Sequence, residues 1–227
     1  MSRLEKVSLI QGRVAGFASI NYRLSSYPEH PTNPSSEDDT SRNARHPDHL
    51  LDVSTALAFL DGKYNINNKY LLVGHSCGAT LAFQLREHFM DITVPRPYGI
   101  LGVDGIYALK ELSYRYANNK AYMAFIKSAF GWPRKLWTEA SPYEAKEGAI
   151  WETVDTAILA HSPDDELLDE SQTAFMRERM EETPAPPGFR RSDRFISAKG
   201  KHDEIWRDGE ELGRLIVVAM VSMNVFP

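Results

Sequence analysis

The sequence predicts an α/β fold built on a mostly parallel sheet with helices on both faces, and three observations predict it. Short apolar runs alternate with segments of helical period. The runs are continuous rather than alternating apolar and polar, as expected of parallel strands covered on both sides. One run, Tyr70-Leu71-Leu72-Val73, leads directly into Gly74-His75-Ser76-Cys77-Gly78, which fits G-x-S-x-G and demands a strand, a strained turn and a helix in that order.

Candidate strands are Gly16 to Tyr22, Tyr70 to Val73, Ile100 to Val103, Thr156 to Ala160 and Arg194 to Ala198. After the first, Pro28 to Arg45 is rich in Pro, Ser, Asn and Asp and reads as a loop. Pro47 then suits an early helical position, with Leu50, Val53, Leu57 and Leu60 as an apolar stripe. Beyond the G-x-S-x-G turn, Ala79 to Phe89 places Leu81, Leu85 and Phe89 on one helical face, and Gly74 and Gly78 permit a tight turn with close strand-to-helix packing. The stretch from Leu109 to Trp137 is dense in aromatics and lies between two strands, which makes residues 109–137 a candidate helical cap; aromatics fill ordinary cores equally well. Glu181 to Gly188, with three prolines, is a second loop, and the final helix directs Leu212, Leu215, Ile216 and Ala219 inward.

The bulk properties narrow the function classes. A chain of 227 residues, 42% hydrophobic, buries a substantial core and most simply forms one domain over 1–227. A net charge of −5 without a basic block argues against a nucleic-acid partner. No stretch approaches the roughly 18 apolar residues of a membrane span, and the opening Met1 to Ile10 carries charges where a signal peptide needs an apolar run. The single cysteine, Cys77, excludes an internal disulfide and suits a reducing compartment, so a cytoplasmic protein without a membrane partner is expected.

The chemistry centres on Ser76. A serine hydroxyl is a weak nucleophile and needs a base within hydrogen-bond reach, itself oriented by a third group. On this type of sheet the acid and then the base follow later strands. Thr156 to Ala160 is followed by His161-Ser162-Pro163-Asp164-Asp165-Glu166, and Arg194 to Ala198 by Lys199-Gly200-Lys201-His202. Asp165 is assigned as the acid and His202 as the base, with Asp164 and Glu166 as rivals for the first role. His75 is poorly aimed at its neighbour's hydroxyl, His30, His46, His49 and His88 precede the acid, and His161 comes too early. The backbone N–H of Cys77 is the expected oxyanion donor at the helix N-terminus. His46, His49 and Asp52 lack a recognised metal-ligand spacing, so no metal is expected, and no phosphate-binding loop or other cofactor motif is present.

With these residues in place, the chain resembles the α/β hydrolases, and among them the kynurenine formamidases (arylformamidases) of fungal type. The resemblance rests on Gly16 to Ser25, the turn Gly74 to Gly78, Gly102 to Tyr107, Ala140-Ser141-Pro142, His161 to Leu168 and His202 to Ile205. It implies hydrolysis of N-formyl-L-kynurenine to L-kynurenine and formate in tryptophan breakdown toward NAD, with Ser76, Asp165 and His202 as the triad and homodimer formation. Members of the family carry a His-Gly-Gly segment upstream whose N–H groups complete the oxyanion hole. This sequence has none. Loss of one such donor costs about 10²- to 10³-fold in turnover, and the strand preceding it would be an interior strand of the sheet. The expectation is therefore a hydrolase fold lacking its N-terminal strands, with Met1 to Ile10 left from the helix after the missing motif. A general carboxylesterase and a catalytically impaired remnant that binds a ligand or partner are the competing readings. The sequence assigns no substrate-binding residues.

Overall fold

The computed structural model describes residues 12–223. The first regular helix, α1 (Asp48–Tyr64), starts immediately after Pro47 and buries Leu50, Val53 and Leu57. It ends at Asn65, whose left-handed backbone donates its N–H to the Asp61 carbonyl, a helix stop of the kind that favours Asn or Gly. Next come β1 (Leu71–His75), α2 (Cys77–Gln84), a two-stranded hairpin of β2 (His88–Phe89) and β3 (Ile92–Thr93), and β4 (Gly99–Val103). Three helices follow, α3 (Leu109–Arg115), α4 (Lys120–Phe130) and α5 (Lys135–Ala140). The chain closes with β5 (Thr156–His161), α6 (Ser171–Glu182), β6 (Ser192–Ser197), α7 (Glu204–Arg207) and α8 (Glu210–Ser222).

The main sheet is entirely parallel, in the order β1-β4-β5-β6. Its period of two divides the core between the faces. Leu72, Ile100, Ala157 and Leu159 pack with Leu50, Val53 and Leu57 of α1, Phe83 of α2, and Met176 and Met180 of α6. Leu71, Val73, Leu101, Val103, Ile158 and Ala160 pack on the other side against Ile205 of α7 and Leu212, Leu215, Ile216 and Ala219 of α8. Every residue of β4 and β5 is buried, which is why these two strands read as unbroken apolar runs. Each fully buried Leu or Ile contributes roughly 1.5–3 kcal/mol relative to exposure.

Two expectations are corrected. Gly16 to Tyr22 is not a strand: it is extended chain without a ladder partner among the described residues, with Phe17 exposed and only Ile20 and Tyr22 packed on the core. An apolar run makes a strand only where a neighbouring edge lies within about 4.8 Å to accept the ladder, and β1, at the margin of the sheet, pairs only with β4 among the described residues. The helix after the turn stops at Gln84, so Phe89 lies in the β2-β3 hairpin, where it packs against the same core as a strand residue. Arg86 and His88 begin the return of the chain toward β4 rather than a third helical turn. The proposed origin of Met1 to Ile10 falls outside the described residues.

The segment 109–137 is helical and has its own apolar centre. Leu109, Leu112, Ile126, Trp137 and Ala140 surround Ile106 and Leu168, with Tyr116, Tyr122 and Phe125 packed around them. Trp137 is fully buried and its indole N–H donates to the Gly131 carbonyl at 2.9 Å.

Candidate active site

Ser76 occupies the turn between β1 and α2 with φ 53° and ψ −122°, a conformation that strains any residue but glycine by about 1–3 kcal/mol. The surroundings hold it there. The Ser76 N–H donates to the Val103 carbonyl at 2.9 Å, tying the turn to the end of β4, and the Ser76 carbonyl accepts from Ala79 at 3.0 Å to open α2. Gly74 is required by close approach, since a Cβ there would run into the Gly78 carbonyl and the Ala79 nitrogen. Gly78 is not required in that way: a Cβ at Gly78 would meet nothing within 4 Å. Cys77 is the first residue of α2 and is exposed.

Asp165 and His202 come together from loops after β5 and β6. His202 Nδ1 lies 2.7 Å from Asp165 Oδ2, with the Asp165 side chain fully buried and that of His202 6% exposed. The other carboxylate oxygen, Oδ1, accepts the N–H groups of Leu167 at 2.8 Å and Leu168 at 2.9 Å. Burial alone would raise the Asp165 carboxyl, but the hydrogen bonds from His202, Leu168 and Leu167 outweigh it and hold the group below the usual carboxylate range. Burial likewise works against a charged His202; the bond to Asp165 and the charges of Asp165, Asp104 and Asp203 overcome it, so its pKa lies above the ordinary imidazole value.

The two rivals for the acid go elsewhere. Asp164 is exposed, whereas Glu166 Oε2 accepts the His202 backbone N–H at 3.0 Å and so braces the base from behind. The His202 ring stands 4.5 Å, centroid to centroid, from that of His75, the residue preceding Ser76. The structure thus brings the acid and base into contact beside the serine turn. Ser76 and His202 form no hydrogen bond with each other among the described residues, and such bonds often tighten only when substrate is seated.

Sequence reasoning missed Asp104 and underrated His161. Asp104 follows β4 directly, is fully buried and has φ 42°. Its Oδ1 lies 2.8 Å from His161 Nδ1 and accepts the Ser162 N–H at 2.9 Å. The available signal was a charged residue ending an apolar run, at the carboxyl edge of a parallel sheet where ligands gather. His46, His49 and Asp52 do not form a site together: His46 packs on Phe130, His49 Nε2 lies 3.0 Å from Ser25 Oγ, and Asp52 pairs with the Arg23 guanidinium.

The acid loop is anchored to the three-helix segment. The Tyr122 hydroxyl donates to the Leu167 carbonyl, the Tyr116 hydroxyl accepts the Asp169 N–H at 3.0 Å, and Arg115 pairs with Asp169. Leu168 is buried among the helices' apolar side chains, and Tyr116 and Tyr122 stack with centroids 4.3 Å apart.

No protein-family model matches the chain. Among curated proteins it is 38% identical over 222 residues to "Kynurenine formamidase avaC" of Aspergillus versicolor, covering 88% of this chain and 73% of that protein. It is 36% identical to "Kynurenine formamidase-like hydrolase fscH" of Fusarium equiseti, covering 89% and 69%, and 30% identical to a kynurenine formamidase of Meyerozyma guilliermondii, covering 88% and 70%. Solved structures share the fold: an esterase/lipase from an uncultured bacterium matches with TM-score 0.58 at 14% identity over 80% of this chain and 61% of that one. A truncated carbohydrate esterase from gut microbiota matches with TM-score 0.57 at 15% identity over 82% and 72%. These relatives, together with a parallel sheet that presents a strained serine turn at its carboxyl edge, give both levels of classification: the fold is that of the α/β hydrolases, and the chain belongs to the kynurenine formamidase family.

Proposed function

We propose that the chain hydrolyses N-formyl-L-kynurenine to L-kynurenine and formate, with Ser76 as nucleophile, His202 as general base and acid, and Asp165 as the group that orients and compensates the imidazole. The observation that carries this reading is the 2.7 Å contact between His202 Nδ1 and buried Asp165, made beside the serine turn. With Nδ1 committed to the carboxylate, Nε2 is the nitrogen left to accept a proton. Ser76 Oγ bonds to the formyl carbon while its proton passes to His202 Nε2. The oxyanion faces the Cys77 N–H at the start of α2. His202 then returns the proton to the aryl nitrogen as the C–N bond breaks, leaving a formyl ester on Ser76. Water attacks that ester, giving its proton to His202; the C–Oγ bond breaks, Ser76 regains the proton and formate leaves.

The three helices of 109–137 act as the cap over the serine, and their aromatic side chains suit a flat aryl leaving group. Membership of the family supports a small-molecule substrate and a place in tryptophan degradation toward NAD; cytoplasmic location and a homodimer complete the reading. No helix among the described residues is long and apolar enough to cross a membrane.

The test is release of kynurenine from N-formylkynurenine by the purified chain, with Ser76→Ala as blank. A preference for a short acyl ester over the formamide would favour a general carboxylesterase, the reading suggested by the esterases that share the fold. Absence of any Ser76-dependent labelling by a fluorophosphonate would identify a binding remnant.

A further inference from the structure

The geometry points to Asp104 as a positioning residue that acts through His202, a second carboxylate that shares with Asp165 the compensation of positive charge on the imidazole. This rests on the reading of Ser76, Asp165 and His202 as a triad, and adds to it a fourth group on a different strand.

Asp104 and Asp165 follow the neighbouring strands β4 and β5, so the parallel register sets two carboxylates side by side at one edge of the sheet. Asp104 is 0% exposed. Its two oxygens have different surroundings. Oδ1 takes both His161 Nδ1 and the Ser162 N–H, which fixes the end of β5 where the acid loop begins. Oδ2 is buried and makes no hydrogen bond, although a buried carboxylate oxygen without a donor is costly and rare in folded proteins. Ligand-type atoms of His75, Asp104 and His202 all lie within 4.8 Å of one another, and those of Asp104, His161 and Asp165 do the same. Asp104 is thus common to two clusters, one holding the base and the other the acid. His75 Nε2, also buried without a partner, adds a polar group to the first.

A negative charge in this place favours the imidazolium that forms as Ser76 attacks the formyl carbon and again as water attacks the formyl ester, and it does so in a water-poor site where charges act strongly. The charge of Asp104 is indeed among those that raise His202, after Asp165 and ahead of Asp203. The groups facing His202 are His75 at the end of β1, Asp104 at the end of β4, Asp165 and Glu166 from the loop after β5, and Asp203 beside it. Glu166 is occupied with the His202 backbone N–H. His75 does not share this work: burial first, and then the charge of His202, hold its own pKa below the ordinary imidazole value. Asp104 therefore supplies a charge that no neutral neighbour replaces.

Asp104→Asn tests this, because an amide oxygen in the place of Oδ1 still accepts from His161 and Ser162 while the charge is lost. The rate of fluorophosphonate labelling of Ser76 is followed against pH, alongside kcat/KM for N-formylkynurenine and the melting temperature. The expected result is an acid limb displaced downward by about one to two pH units and a labelling rate lowered roughly ten- to hundredfold at its plateau. A loss of rate with an unmoved acid limb overturns the proposal and leaves Asp104 as a clamp on β5 alone. Should the variant not fold, NMR titration of the His202 imidazole in the double variant Asp165→Asn, Asp203→Asn decides: a value at or above about 6.5 shows that Asp104 compensates the charge, and a value below it, as burial alone dictates, overturns the idea. Labelling reads the serine and imidazole without the formamide, so a chain that labels as expected but leaves N-formylkynurenine intact refutes the substrate and not the role of Asp104.

Discussion

Replacing Asp165 by Asn separates orientation of the base from the architecture of the loop around it. The wild-type carboxylate divides its work: Oδ1 accepts the Leu167 and Leu168 N–H groups, and Oδ2 faces His202 Nδ1. An Asn side chain keeps the first duty with its carbonyl oxygen and turns its NH2 toward the ring. His202 Nδ1 then becomes an acceptor, the proton moves to Nε2, and the nitrogen that must take the serine proton is blocked. Neutralising the acid of a triad in this way lowers turnover about 10⁴-fold, equivalent to about 5 kcal/mol at 1.36 kcal/mol per tenfold. The fold loses far less, because both backbone hydrogen bonds survive and the contact to the ring is kept as a neutral one, a typical hydrogen bond being worth about 1 kcal/mol net. The assay is kcat/KM for N-formylkynurenine together with labelling of Ser76, each beside a melting curve. Activity within tenfold of wild type refutes Asp165 as the orienting group. A large loss accompanied by a collapse of the melting temperature refutes the separation of its two duties.

The remaining predictions concern pH, strain and packing. His202 must be neutral to accept the serine proton, and its pKa is raised, so kcat/KM falls as the pH drops through a value above the ordinary 6.5 or so. A limb centred below that value contradicts the assignment. The Asp165–His202 pair also stabilises the fold in a defined window. The depressed acid contributes above about pH 4 and loses its contribution as pH falls, whereas the raised base contributes below about pH 6.5 and loses its contribution as pH rises through the folded value. The melting difference between wild type and Asp165→Asn is therefore greatest between those limits, and a difference that grows above pH 8 contradicts this. Ser76→Gly relieves the positive φ and raises the melting temperature by about 2–4 °C while abolishing labelling; a lower melting temperature in calorimetry argues that the turn is not strained. Gly74→Ala drives a Cβ into the backbone of Gly78 and Ala79, costs about 1–3 kcal/mol or more in denaturant unfolding, and slows labelling by moving the turn.

How much of this was legible in the sequence depended on whether a feature was local. The turn at Ser76 was legible because glycine, serine, strand and helix are adjacent, and β4 and β5 because parallel strands buried on both faces have no polar alternation to confuse them. The contact between Asp165 and His202 was legible only through the order in which an acid and a base are expected to follow successive strands. Gly16 to Tyr22 misled because an apolar run records which side chains dislike water and says nothing about whether a neighbouring edge is present to pair. The early end of α2 was hidden for a related reason: Phe89 meets the same core from a hairpin that it would have met from a helix. Asp104 escaped notice because a lone aspartate after an apolar run resembles any turn residue; its importance lies in His161 and His202, residues distant in sequence that only the sheet register brings alongside.

The ties between the three-helix segment and the loop bearing Asp165 have an evolutionary consequence. Tyr122, Tyr116, Arg115 and the cluster around Leu168 grip that loop from residues 167 to 169, so on the function proposed above the helices that cap the substrate also hold the acid of the triad in register. A lineage exploring new leaving groups cannot remodel those helices freely. Changes that preserve the grip can drift into new specificities, while grafts that exchange the helices alone must bring a compatible acid loop with them or forfeit turnover.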